Sequence, residues 1–157
     1  MTSAGEASIA DEAVHASCVV VGTAGVLIRG PSGTGKSALA LALIERFRRI
    51  GAYAVLVSDD RTILIEANGR MLASAPSSIE GLIELRGRGI RNHTHLPSTV
   101  VRLIIDLLPE REIERMPDSE ALVVRVGNLE LPRQSVPEHD VALALPLIEA
   151  ALHDLDG

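Results

Sequence analysis

Apolar and polar positions along the 157-residue chain change period several times, and each change marks an element. The stretches HASCVVV and AGVLIRG are β-branched runs around the Gly22–Gly25 turn region and predict a hairpin. After a glycine-rich loop, SALALALIERFRRIG combines strong helix formers with an apolar stripe, which predicts a well-buried helix closing at Gly51. AYAVLVSDD reads as a buried strand ending in two acids. RTILIEANGRMLA reads as a second hairpin, whose Asn68-Gly69 pair suits a type I′ turn. SSIEGLIEL is expected to form a short helix, with a glycine-punctuated loop, RGRGI, behind it. STVVRLIIDLL predicts a strand, PEREIERMPDSE a charged connector, and ALVVRVGNLELP two short strands about Gly127-Asn128. DVALALPLIEAALHDL closes the chain as a helix carrying Pro146. Strands, one helix, hairpins and a last helix do not make the alternation of a doubly wound sheet. The fold class expected is α/β, a mixed β-sheet with few helices. Residues 1–13 are expected to be a flexible tail and residues 14–157 a single domain.

Composition narrows this picture. Hydrophobic residues make up 46%, yet there is no Trp, one Tyr (Tyr53) and one Phe (Phe47), so the core must be aliphatic. The same scarcity argues against base-stacking surfaces for single-stranded nucleic acid. A net charge of −6 without a dense basic tract argues against nucleic-acid and membrane partners. One cysteine, Cys18, cannot form an internal disulfide, which fits a reducing compartment. No apolar run approaches a membrane span, and MTSAGEASIADEA lacks the plan of a signal peptide. A cytoplasmic location is expected.

Candidate chemistry begins at Gly30-Pro31-Ser32-Gly33-Thr34-Gly35-Lys36-Ser37, which satisfies G-x-x-x-x-G-K-[ST] between a predicted strand and a predicted helix. Its glycines let the backbone turn N–H groups toward phosphate oxygens. The helix N-terminus adds partial positive charge, Lys36 reaches the β/γ phosphates, and the Ser37 hydroxyl ligates Mg²⁺. Lys36 is the only lysine beside 14 arginines, as expected where a compact ammonium fits and a planar guanidinium does not. A chance Gly/Ser turn before a helix is the alternative. Two predicted strands end in acid, at Asp59-Asp60 and at Asp106. Neighbouring residues on a strand point oppositely, so only one of the pair should face the phosphates unless the strand ends between them. One acid would accept a proton from a hydroxyl and the other support the metal shell. Asp106 alone reads more readily as a strand-end acid.

His15, GPSGTGKS, VSDD at 57–60 and IELRGRGI at 83–90 together resemble the C-terminal catalytic domain of HPr kinase/phosphorylase over about residues 14–150. The resemblance implies a fold similar to phosphoenolpyruvate carboxykinase around the phosphate loop (P-loop). It also implies an ATP- and Mg²⁺-dependent serine kinase acting on the phosphocarrier protein HPr, assembled as a hexamer. The chain looks like a short form without the N-terminal domain of longer members. Carried over by position, Asp59 is the base that takes the serine proton, with Asp60 beside the nucleotide. His15 assists near the phosphates, Glu84 ligates or orients Mg²⁺ with Ser37, and Arg86 stabilises the loop or the phosphoryl charge. Arg115, in IERMP, falls where the family carries an active-site arginine.

Two positions depart from the family pattern. Ala38 stands where a Glu usually follows G-K-S. SVPEHDVALAL replaces a glycine- and arginine-containing loop associated with phosphorolysis. Phosphate-dependent dephosphorylation is therefore expected to be weak. A small-metabolite kinase and a non-catalytic ATP-sensing module are the rival readings. His93, His95 and His139 have no metal-ligand spacing with Cys18 and are expected at the surface.

Overall fold

The computed structural model describes residues 13–156. The expected tail thus lies outside the described residues, except for Ala13, which already belongs to the first strand. β1 (Ala13–Val21) and β2 (Ala24–Arg29) form the predicted antiparallel hairpin, in register from Ala16↔Arg29 to Val21↔Ala24. β3 (Ala54–Ser58) pairs with the other edge of β1. β4 (Arg61–Ala67) and β5 (Arg70–Ser74) form the second hairpin, with Asn68 and Gly69 at φ 53° and 73° as a type I′ turn requires. β8 (Ser98–Leu108) runs parallel to β2, and β10 (Leu129–Pro137) parallel to β8, while β9 (Val123–Val126) returns along β10.

Two strands are long enough to serve two sheets. The first residues of β1 pair with β4 and the first residues of β8 pair with β5, while their later residues pair with β2. The pairings β1–β2–β8–β5–β4–β1 therefore close on themselves. Alternation sends one set of side chains into this ring (Cys18, Val20, Leu27, Leu64, Met71, Ile104). The other set (Val19, Val26, Ile28, Leu103, Ile105, Leu107) meets two helices. These are α1 (Lys36–Arg49) and α2 (Val141–Asp156), which bury Leu39, Leu43, Ile44, Ala144 and Ile148 on the sheet. The mixed sheet with few helices is present, and its core is aliphatic. Burial pushes the Cys18 thiol up to about 12, so inside the ring it behaves as a small apolar side chain. No helix among the described residues is long and apolar enough to cross a membrane.

Three expectations need correction. The segment SSIEGLIEL forms only a short 3-10 turn over Ser77–Ile79 and then β6 (Leu82–Leu85). Gly81, at φ +76°, breaks the helical run, and a side chain there would meet the His95 ring at 2.7 Å. The expected loop RGRGI instead feeds a return strand, β7 (Gly89–Asn92), so residues 82–92 are a separate two-stranded hairpin. Buried Ile83 pins it to the helix-side core. Finally, β10 extends to Pro137 because Arg133–Pro137 pair in parallel with Ile104–Leu108.

Candidate active site

The loop of residues 30–37 links β2 to α1 at the end of the parallel strands. Gly30 is fixed by packing: a Cβ there would lie 2.8 Å from Thr34 Oγ1 and 3.2 Å from Leu107 Cβ. Thr34 Oγ1 donates to the Pro31 carbonyl at 2.7 Å and closes the turn. Gly33 and Gly35 take φ +85° and +101°, the left-handed region that disfavours side chains. Gly35 caps α1 without any side chain, so the first N–H groups of the helix point away from protein partners and toward the cleft. Lys36 is buried. Its ammonium donates to the carbonyls of Gly30 (2.8 Å) and Pro31 (3.1 Å) and pairs with Asp60 Oδ1 at 3.2 Å. Three acceptors match its three protons.

The strand β3 ends at Ser58, before either acid, so the alternation expected of the pair does not apply. Asp60 adopts φ +67° in the tight turn to β4, and both carboxylates reach the glycine-rich loop. Asp59 is 7% exposed; its Oδ1 accepts from Ser37 Oγ (2.6 Å) and Ser17 Oγ (2.9 Å), and its Oδ2 from the Glu84 backbone N–H (3.1 Å). The Asp60 N–H donates back to Ser17 Oγ at 2.9 Å, locking the turn. The Asp60 side chain is half exposed and borders the cleft.

That cleft has a volume of about 540 Å³, within the range of small-molecule sites. Ser32, Gly33, Gly35, Lys36 and Ser37 form its floor, and Asp60, Glu84 and Arg86 one wall. His139 and Asp140 also line the cleft; His139 is exposed, as expected, but at the mouth of the site rather than away from it. The His139 N–H donates to the Thr34 carbonyl at 3.3 Å, and its φ of +57° turns the chain sharply off β10. Asp140 accepts from the Leu143 N–H at 3.1 Å, so its carboxylate caps α2. Only pairing of β10 with β8 brings this segment over the loop, and no local sequence pattern carries that information.

Two expected residues stand apart. His15 is exposed and lies opposite Arg61 in the β1–β4 pairing, one residue from the acid pair but off the cleft lining. Arg115 sits in an exposed bend between β8 and β9, also off the lining. Asp106 is bound elsewhere: Arg29 grips it with Nε and Nη2 (2.8 and 2.9 Å), and Arg133 Nε donates at 2.6 Å. Burial alone would raise this carboxyl, but hydrogen bonds and charge from Arg29, then Arg133, hold it below the usual carboxylate range. Ser37 Oγ and the Asp59 carboxylate meet beside the loop, and Glu84, whose backbone N–H reaches Asp59, lines the cleft; these three carry the oxygen donors that suit a hard divalent cation.

The same fold and cleft-bearing sheet occur in a solved structure, the HPr(Ser) kinase/phosphatase from Coxiella burnetii. The two chains are 28% identical with a TM-score of 0.71, over 93% of this chain and 99% of the other. The model of the HPr serine kinase C-terminal domain matches residues 7–156, and the chain belongs to that family. HPr kinase/phosphorylase of Geobacillus thermodenitrificans is 39% identical over 136 residues, covering 80% of this chain and 42% of that protein. The enzyme of the same name from Lactiplantibacillus plantarum is 31% identical over 163 residues, covering 96% and 50%. The chain thus spans about half the length of these curated relatives.

Proposed function

We propose that the chain is an ATP-dependent, Mg²⁺-requiring kinase that phosphorylates a serine of HPr, working in the cytoplasm as a hexamer with a phosphoenolpyruvate-carboxykinase-like fold. Membership of the family supports the reaction and the partner. One observation carries the mechanism: both adjacent acids meet the glycine-rich loop, Asp59 on Ser37 and Asp60 on Lys36.

In this reading the loop N–H groups and Lys36 hold the β and γ phosphates, exchanging the Lys36 contacts with Gly30 and Pro31 for phosphate oxygens. Ser37, Asp59 and Glu84 hold the cation, which when bound neutralises charge on the transferring phosphoryl group. The hydrogen-bond pattern favours a division of the acid pair opposite to the one expected from sequence. Asp59 is enclosed and fully engaged by donors, including the metal-ligand serine. Asp60 fronts the cleft half exposed, and its carboxylate turns toward an incoming hydroxyl once Lys36 leaves it for the phosphates. Asp60 is thus the base: it accepts the serine proton as the serine oxygen bonds to the γ phosphorus and the bond to ADP breaks. Positioning and charge neutralisation supply most of the acceleration.

Arg86, on the cleft wall, steadies the transferring charge, and His15 orients the Asp60–Arg61 corner from β1. Arg115 acts from its exposed bend on the cleft of a neighbouring subunit. Phosphorolysis remains weak, because the β10–α2 turn offers a helix-capping Asp140 and no arginine beside the loop. Incubation with γ-labelled ATP, Mg²⁺ and HPr tests the reading. Label on a serine of HPr supports it; label on a small metabolite, or none with ATP still bound, replaces it with a metabolite kinase or an ATP-sensing module.

A further inference from the structure

The β6–β7 hairpin is unlike the rest of this acidic chain. Between Glu84 and Asp106 there are four arginines, two histidines and no acidic residue. Arg86, Arg88 and Arg91 are exposed on the hairpin, and none of them forms an ion pair among the described residues. Two apolar side chains stand out beside them, Ile90 at 64% exposure and Leu85 at 41%. Leu85 lies opposite Gly89 and Ile90 opposite Glu84, so their side chains leave opposite faces of the hairpin, and Arg91, opposite Ile83, is on the face of Leu85. Among the described residues the hairpin pairs with no other strand. Its inner end nevertheless reaches the site, since Glu84, Leu85 and Arg86 line the cleft.

We propose that this hairpin is the docking surface for the acceptor protein, and that it takes an acidic face carrying an apolar residue near the target serine. This rests on the kinase reading above. Arg88, in the turn, and Arg91 steer and hold the carboxylates, while Leu85, on the face that Arg91 shares, covers the apolar contact, which delivers the serine along the hairpin to Asp60. Long-range attraction between opposite charges raises encounter rates and weakens as salt rises. The chain's net charge of −6 repels such a partner on average, so an unpaired basic hairpin beside the cleft also biases the orientation of approach. A charged hairpin edge also guards against strand-to-strand aggregation, and that role predicts no effect on acceptor affinity.

The test uses Arg88→Glu/Arg91→Glu, which leaves Glu84 and Arg86 in place. Fluorescently labelled HPr is titrated onto wild type and variant at low and high salt, and the KM values for HPr and ATP are measured in parallel. The expected result is acceptor binding weakened at least about tenfold at low salt, with the gap closing at high salt. KM for HPr should rise while KM for ATP is unchanged. Equal, salt-independent HPr binding by both proteins overturns the proposal. So does tighter wild-type binding to a short DNA duplex than to HPr, or a change of oligomeric state that accounts for the loss. Because binding is read without turnover, failure of HPr phosphorylation in the wild type would overturn the kinase reading alone.

Discussion

Asp59 follows the apolar strand β3 and Asp106 lies near the end of the apolar strand β8; they are almost equally buried, at 7% and 8% exposure, yet their surroundings are opposite. Asp59 accepts from two hydroxyls and a backbone N–H, all neutral. Asp106 is held by two guanidiniums through three charge-assisted bonds. A carboxylate whose charge is already cancelled by fixed arginines has little left for a metal. One held by exchangeable neutral donors keeps its charge for a cation or for a neighbour's chemistry. The Asp106 triad instead clamps β2, β8 and β10 together. Those strands carry the glycine-rich loop and the His139 turn, so the triad fixes the cleft floor and the His139 turn relative to each other.

The sharpest way to break this contrast is at the loop itself. Lys36→Ala should abolish transfer, since the phosphates lose their lysine contact. Lys36→Arg should be nearly as severe, because a planar fork does not fit the space where an ammonium meets two carbonyls and Asp60. Near-wild-type kinase activity in the arginine variant would refute the steric argument. Asp60→Asn should keep ATP affinity while losing about 10²–10⁴-fold in transfer rate, the usual worth of general-base assistance. Single-turnover rates alongside equilibrium nucleotide binding would check it.

The Asp106 side of the comparison is sharpened by stability. Asp106→Asn leaves two arginines sharing one neutral amide and should cost about 1–3 kcal/mol, read as a lower urea midpoint at unchanged slope. Its effect on kcat should be smaller than that of Asp60→Asn. A gentler effect comes from pH. The folded Asp106 carboxyl titrates below its ordinary value, so the unfolded chain takes up its proton first as pH falls. Its stabilisation is present above about pH 4, the ordinary carboxylate range, and is lost as pH drops through the lower folded value. Urea midpoints from pH 7 down to pH 3 should therefore converge for wild type and the Asn variant; parallel curves would contradict the assignment.

Much of the fold was legible because its signals are local. Asn68-Gly69 names its own turn, the β1–β2 alternation names its two faces, and Gly30 to Ser37 sits between a strand and a helix. The miss at residues 77–90 has a local cause as well: an apolar tetrad reads as helix or strand alike, and Gly81 with the inward Ile83 decides for strand. The parallel pairing of β10 with β8, which sets Ser135 opposite Asp106, 29 residues earlier in the chain, left no local trace. It places His139 and Asp140 on the cleft and Arg133 on Asp106. Within the acid pair, strand alternation predicted one inward carboxylate unless the strand ended between the two. The chain leaves the strand first, and the left-handed turn at Asp60 brings in both.

The central claim is that Asp59 serves the cation through Ser37 while Asp60 serves the proton. Titrating Mg²⁺ against the single-turnover rate of HPr phosphorylation in Asp59→Asn and Asp60→Asn tests it directly. The account predicts that Asp59→Asn needs far more Mg²⁺ but recovers much of its rate at saturation, whereas Asp60→Asn stays slow at every Mg²⁺ concentration. The reverse pattern, with rescue of Asp60→Asn and a persistent defect in Asp59→Asn, would contradict it.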